Sequence, residues 1–434
     1  MSGEMIGVWG IVALFVLLAL RTPVSIAMIL VGTAGIAILN NERAALATLG
    51  GETWVILTNP TLTVIPLFIL MGNLASASGM SRNLYDAAYA WVGHWRGGLA
   101  SATIVGCSGF AALSGSSVAS AITMGRVALP EMERFRYDNR LATGAVAAGG
   151  TLGILIPPST GFIIYAVLTE ESIGRLFIAG ILPGILLAIL FIITITLLTT
   201  WRAGYGPAGP RSGLRHRLAT LVAAGPLIGI IAVTIGGIYI GAFTPMEAAG
   251  VGAVLAFAVA LARRSLSWAS TGQILLATVR TSAMSYMILI GAHVFSPFLA
   301  RSQLPDLLTE SVMALGFGPY GTLALILLAF IILGTFLEGF AMLVLTLPIV
   351  FPLIVGLGFD PIWFGVLMVI VLEMGLITPP VGVNVFVVKS IAPGVSMNRV
   401  FAGIAPFWVA MLVCLAILVA FPEIALFLPD HMFD

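Results

Sequence analysis

The chain has 434 residues, 60% of them hydrophobic and only 9% charged, with a formal net charge of +1. Soluble domains are roughly 45–50% apolar and roughly 25% charged, so this chain has too few charges to coat a water-facing surface. That excludes a soluble enzyme, a disordered chain and a nucleic-acid binder. What remains is an all-α polytopic membrane protein, with room for roughly 10–12 membrane segments.

The run Met5–Leu20 leads into Arg21-Thr22-Pro23 and not into a small-residue cleavage site, so it reads as a retained first helix. Residues 1–50 are expected to be scaffold helices. Residues 51–200 form a first repeat: an arm helix, a re-entrant hairpin at about 99–124, and a broken helix at about 139–169. A basic cytoplasmic loop, 201–217, and scaffold helices, 218–272, follow. Residues 273–421 form a second, inverted repeat, with a hairpin at about 320–359 and a broken helix at about 361–390. Residues 422–434 are a tail.

Orientation follows from 18 Arg and one Lys, Lys389. With Arg202, Arg211, Arg215 and Arg217 in the cytoplasm, only Arg43, Arg175 and Arg301 fall outside, Arg280 is ambiguous, and all other basic residues fall inside. Both termini are then on the outer side of the membrane. The parity requires the uncharged run Leu99–Gly125 to turn back on itself. Its Gly106, Gly109 and Gly115 with Ser108, Ser114, Ser116 and Ser117 suit non-helical backbone, which survives at membrane depth only inside protein or beside a watery cavity.

The chain repeats itself. Asp138, Gly153 and Pro157-Pro158 recur at one constant offset as Asp360, Gly375 and Pro379-Pro380. Upstream, Ser114-Gly115-Ser116 corresponds roughly to Glu338-Gly339-Phe340. Downstream, Ser172–Phe177 matches Ser396–Phe401. The first hairpin enters from inside and the second from outside, so the copies are inverted, a pattern of secondary transporters whose sites lie at the repeat interface.

Each proline removes a donor and clashes with the carbonyl four residues earlier. Pro157 and Pro158 are expected to release the carbonyls of Gly153 and Ile154; Pro379 and Pro380 those of Gly375 and Leu376. Freed carbonyls at a half-helix C-terminus favour a hard monovalent cation. The hairpin tips supply a second wall through Ser114, Ser116 and Ser117, and through Gly334, Thr335, Glu338 and Gly339. Ser159, Thr160, Thr378, Gly382 and Asn384 add further oxygens. Glu338 and Glu373 lie in apolar stretches and invite a functional reading, against which stands an ordinary buried Glu bonded to a hydroxyl or amide. Thr244-Pro245-Met246-Glu247 reads as a capping box, and Asp138 and Asp360 as N-caps. His94, His216, His293 and His431 are too dispersed for a transition-metal site, and Cys107 and Cys414 build no disulfide framework. No Walker motif or nucleophile elbow is present, so the chain is not expected to be an enzyme.

The motifs Leu113–Ser117, Gly150–Ser159, Phe243–Ala249 and Gly375–Asn384 occur in order along nearly the whole chain. On them the chain resembles the large membrane subunit of the tripartite ATP-independent periplasmic (TRAP) transporters, the DctM-like family. The resemblance implies an elevator transporter, with hairpins and broken helices in a mobile domain, and sodium-driven uptake of organic acids. It implies two partners, a small four-helix membrane subunit and a periplasmic substrate-binding protein. No four-helix stretch precedes Met1-Ser2-Gly3, so the small subunit is expected as a separate chain. The acid at the second tip is often Asp in the family and is Glu338 here.

By two-fold logic, one sodium ion is expected at Ser114, Ser117, Gly153, Ile156 and Pro158, and another at Gly334, Gly375, Thr378 and Val381. Substrate is expected between the tips, near Ser116 and Asn384. Lipid surrounds the chain, and no nucleic acid is involved. The alternative is a stand-alone sodium-coupled anion transporter without a binding protein. A channel or scaffold is disfavoured by the inverted repeat.

Overall fold

The computed structural model describes residues 2–202 and 204–432, and all regular structure among them is helical. Ser2 caps α1 (Gly3–Ala19). Pro23 precedes α2 (Val24–Leu39), and Asn41 caps α3 (Glu42–Thr58). A short 3-10 turn leads into α4 (Val64–Ala77), followed by α5 (Met80–Val92). The first hairpin pairs α6 (Gly98–Ser114) with α7 (Ser117–Arg134). Its second arm thus runs beyond the expected end near residue 124. The added turns carry Arg126, Glu131, Glu133 and Arg134, which ends the apolar stretch without ending the helix.

The first broken helix consists of α8 (Asn139–Leu155) and α9 (Thr160–Thr169), and α10 (Ile173–Trp201) closes the repeat. Then come α11 (Leu214–Tyr239), α12 (Pro245–Ala262), the long α13 (Trp268–Ser302) and α14 (Leu304–Ala314). The second hairpin pairs α15 (Gly318–Gly334) with α16 (Gly339–Gly356). The second broken helix is α17 (Pro361–Gly375) with α18 (Val383–Ile391), followed by α19 (Met397–Ala420) and α20 (Glu423–Asp430). By length and composition eight helices among the described residues can cross a membrane, the first broken helix counted as one, and five shorter apolar helices accompany them. The expected caps form: Asp138 accepts from Arg140 N at 2.7 Å, Asp360 from Trp363 N at 2.9 Å, and Thr244 and Glu247 bond reciprocally as a capping box.

The two halves of the repeat face opposite ends of the molecule. At one end, the loop after α10 clamps the base of the first hairpin. Gly97 N donates to Gly206 O at 2.9 Å, Gly209 N to Gly93 O at 2.9 Å, and the Tyr137 hydroxyl to Pro207 O at 2.9 Å. Arg217 and Arg263 reach Ala90 O and Ser78 O at the same end. At the other end, Arg175 pairs with Asp430 at 3.4 Å and the Tyr165 hydroxyl bonds Pro361 O at 2.7 Å. There the base of the second hairpin stacks through Tyr320, Phe359 and Trp363. The hairpins therefore enter from opposite ends.

α8 and α17 form the centre. Leu141–Leu155 and Ile362–Gly375 are buried without interruption, as helices with apolar or small residues all round must be. In lipid, close backbone approach through small residues replaces much of the hydrophobic drive between helices. Gly144 of α8 lies on Gly403 of α19, and Gly32 of α2 lies on Val294 O of α13, with 2.7 Å to the position of an added Cβ.

Candidate functional site between the hairpin tips

The first tip wedges into the first break. Gly115 has φ +57, a left-handed turn that favours glycine, and a Cβ there would also lie 2.7 Å from Pro158 O. Ser116 caps α7 by accepting from Ala119 N at 3.3 Å. Gly115 O accepts from the Thr160 hydroxyl at 2.8 Å, and Ser159 caps α9. A Cβ on Gly153 would lie 2.6 Å from Ser116 O, so tip and break touch backbone to backbone. Ser114, Ser117, Gly153, Ile156 and Pro158 thus gather around one junction. Among the described residues no hydrogen bond reaches the carbonyls of Gly153 or Ile154, as the paired prolines require. Carbonyl and hydroxyl oxygens converging beside a helix C-terminus are chemistry suited to a hard monovalent cation.

The second tip meets the second break in the same way. Gly334 and Gly375 face each other, with 2.6 Å from an added Gly375 Cβ to Gly334 O. The carbonyl expectation needs correction here. Gly375 O accepts from Thr378 N at 3.1 Å, and Leu376 O from Asn384 N at 3.0 Å. A tight turn recaptures the Gly375 oxygen, and the chain returning past the proline pair brings Asn384 N to the Leu376 oxygen; each oxygen keeps a second lone pair. The Thr378 hydroxyl donates to Met374 O and accepts from the Trp408 indole at 3.0 Å. Val381 lies in the loop that joins the two half-helices. Pro157 and Pro158 are buried, whereas Pro379 and Pro380 are exposed.

The tip correspondence also shifts. Glu338 caps α16 by accepting from Ala341 N at 3.2 Å, just as Ser116 caps α7. Ser116 therefore matches Glu338, at the same offset as the proline pairs. The rough alignment of Ser114 with Glu338 is two residues out of register.

Between the tips lies a cavity of about 260 Å³. The hairpin tips and the first break contribute Ser114, Ser116, Ser117, Thr160 and Glu338 to its wall, and among the described residues no Lys, Arg or His lines it. Ser116 stands where substrate is expected. Asn384 is fully buried behind the wall, where Leu376 and Val383 take the facing positions. The opposite wall was not anticipated: Asn73 and Ser76 from α4, and Thr281 and Ser285 from α13. Asn73 is braced by Thr278 at 3.0 Å. Isolated polar residues in the apolar α4 were the available signal. A second unanticipated contact joins the repeats: the Ser117 hydroxyl donates to Glu373 Oε1 at 2.6 Å. The sequence left Glu373 between a functional residue and an ordinary buried Glu bonded to a hydroxyl or amide, and did not name Ser117 as its partner. His293 stands 3.5 Å from Glu52, far from any metal cluster, and no such cluster occurs among the described residues.

A family model described as "Tripartite ATP-independent periplasmic transporter, DctM component" matches residues 11–424. The chain belongs to the DctM family of TRAP transporter permeases. It is 39% identical to the C4-dicarboxylate TRAP transporter large permease protein DctM of Pseudomonas aeruginosa, over 86% of this chain and 87% of that protein. It is 33% identical to the sialic acid TRAP transporter large permease protein SiaM of Vibrio cholerae, over 94% and 95%. An isethionate permease, DctMQ of Oleidesulfovibrio alaskensis, is 33% identical over 84% of this chain and 58% of its own length. Among solved structures, the Alcanivorax borkumensis YdaH transporter shares the fold, with TM-score 0.54 at 15% identity over 98% of this chain and 100% of that one. As a DctM-family permease the chain is a multi-pass membrane transporter subunit and not an enzyme.

Proposed function

We propose that this DctM-family chain is the membrane permease of a sodium-coupled uptake system for organic acids, working by an elevator movement of its hairpins and broken helices. The observation that carries the reading is the double junction: each hairpin tip abuts its own proline break, and both tips border one polar cavity. Sodium would bind at the first junction through oxygens of Ser114, Ser117, Gly153, Ile156 and Pro158. At the second it would use Gly334, Gly375, Thr378 and Val381. The cavity wall holds hydroxyls and helix N-termini in place of basic side chains, so an organic anion there would be balanced by the bound cations and by amide dipoles. Relatives named for C4-dicarboxylates and sialic acid support an acidic substrate.

The partners would be a periplasmic binding protein, which captures scarce substrate, and a small membrane subunit. Membership of a periplasmic transporter family supports the bacterial inner membrane, and placing the Arg-rich end in the cytoplasm would leave both termini periplasmic. Proteoliposomes containing both membrane subunits, offered the binding protein and a panel of organic acids, test the reading. Uptake should require a sodium gradient and stop when sodium is replaced by potassium or choline at fixed potential. Full activity on a proton gradient alone would refute it, and robust uptake at micromolar substrate without the partners would favour a stand-alone transporter.

A further inference from the structure

Glu373 is a carboxyl group with 1% of its surface exposed, sealed inside the most buried helix of the molecule. Only one of its oxygens is engaged. Oε1 accepts from the Ser117 hydroxyl at 2.6 Å, and Oε2 has no partner among the described residues. The residue at the same place in the first repeat is Thr151, whose hydroxyl turns back onto Ala148 O of its own helix. The inverted repeat is therefore broken here in one direction, and the second broken helix alone reaches across. The strut joins two places that matter to the transport reading. Ser117 opens α7 at the first hairpin tip, against Gly153. Glu373 lies two residues before Gly375, which rests on Gly334 at the second tip. The far side of the second break leans the same way, because α18 also packs on α7.

We infer that Glu373 is a positioning residue that couples the two cation sites through its hydrogen bond to Ser117. The inference rests on the sodium reading above and adds to it a route between the sites. A cation at the first junction fixes the tip that carries Ser117. The bond then holds the last turn of α17, so the second junction needs less ordering before it binds. Two sites that share an ordering cost bind cooperatively, and the coupling is reciprocal. The transmitting feature is the acceptor oxygen and not a negative charge, so a side chain that keeps the oxygen keeps the coupling.

The Trp408 indole bonds the Thr378 hydroxyl at 3.0 Å and reports from the second site. The experiment uses the complex of this chain with its small subunit in lipid nanodiscs, titrated with sodium chloride against choline chloride. The Trp408 part of the fluorescence is isolated by subtracting a Trp408→Phe titration. In the native background, Ser114→Ala at the first site should raise the midpoint of the Trp408 response at least about fivefold. In Glu373→Leu the response should persist, yet Ser114→Ala should no longer move its midpoint. Glu373→Gln should behave like the native chain. If Glu373→Leu does not assemble, Glu373→Met replaces it. A Ser114→Ala shift that survives in the apolar variant overturns the inference, and so does its loss in Glu373→Gln. A native complex without any sodium-dependent Trp408 response overturns the sodium reading itself, a different and recognisable failure.

Discussion

Gly375 and Gly334 meet backbone to backbone: a Cβ on Gly375 would lie 2.6 Å from the Gly334 carbonyl oxygen. The contact seats the second tip on the second break, and Gly153 against Ser116 does the same in the first repeat. Gly375→Ala forces a methyl group between two backbones that cannot yield as a side-chain end can. Overpacking of this kind costs about 1–3 kcal/mol. The variant should insert and assemble, yet lose at least about tenfold in uptake, the equivalent of about 1.4 kcal/mol, toward the lower end of that range. Gly50→Ala, where nothing lies within 4 Å, is the control and should transport normally. Equal uptake by both variants would show that the tip is not seated on the break during transport.

Thr378 separates a hydroxyl that binds from one that braces. Its oxygen already accepts a hydrogen bond from the Trp408 indole and its hydroxyl donates to Met374 O, with one lone pair remaining. Thr378→Val keeps the shape and removes all three roles, and should weaken sodium dependence by on the order of 1–3 kcal/mol. Thr378→Ser should retain most of the affinity. Trp408→Phe isolates the brace and should cost less than Thr378→Val. Half-saturation by sodium in proteoliposomes checks the order, and a Trp408→Phe loss as large as that of Thr378→Val would assign the hydroxyl to bracing alone.

Much of this arrangement was legible because prolines and glycines dictate backbone. The pairs Pro157-Pro158 and Pro379-Pro380 marked the breaks, and their constant offset marked the repeat. What escaped depends on where side chains end up after packing. Glu373 reaches the first tip and not its own break, since that requires knowing that α17 lies beside α7. The second-break carbonyls are recaptured by a tight turn at Gly375 and by Asn384 where the chain comes back past the prolines, whereas the first break holds the hairpin tip seated in it. Asn73, Thr281 and Ser285 lie within the two repeats but outside the matching motifs, so no repeated landmark selected them.

Ser114 tests the first junction in the same spirit. Its hydroxyl lies 2.9 Å from that of Ser120, and it also faces the cavity. Ser120→Ala removes only the neighbour and should leave sodium half-saturation close to native. Ser114→Ala removes an oxygen of the junction and should raise half-saturation by a factor corresponding to about 1–3 kcal/mol. Uptake rates against sodium concentration, at equal expression, distinguish the two. A larger effect from Ser120→Ala would make the pair a structural tie.

Glu171 gives a pH-dependent prediction outside the membrane. It lies in the turn between α9 and α10, where partial burial raises its carboxyl above the usual range. Repulsion from Asp360 adds to that, and Arg175 opposes it. A carboxyl raised in the folded state holds its proton more tightly folded than unfolded. At a pH above both its folded and its unfolded value it is ionised in both states, and its charge works against folding. The penalty fades as the pH falls through the folded value and is gone below the unfolded one. Glu171→Gln imitates the protonated form, so it should stabilise the protein at neutral pH. Because the group is only partly buried, solvent screening limits the gain to below about 0.5 kcal/mol. The gain should shrink toward zero as the pH approaches about 4. Thermal midpoints of native and variant complexes in nanodiscs at pH about 7 and about 4 provide the check. A variant that is less stable at neutral pH, or equally stabilised at both, would mean that Glu171 is held by favourable contacts, with Arg175 outweighing Asp360.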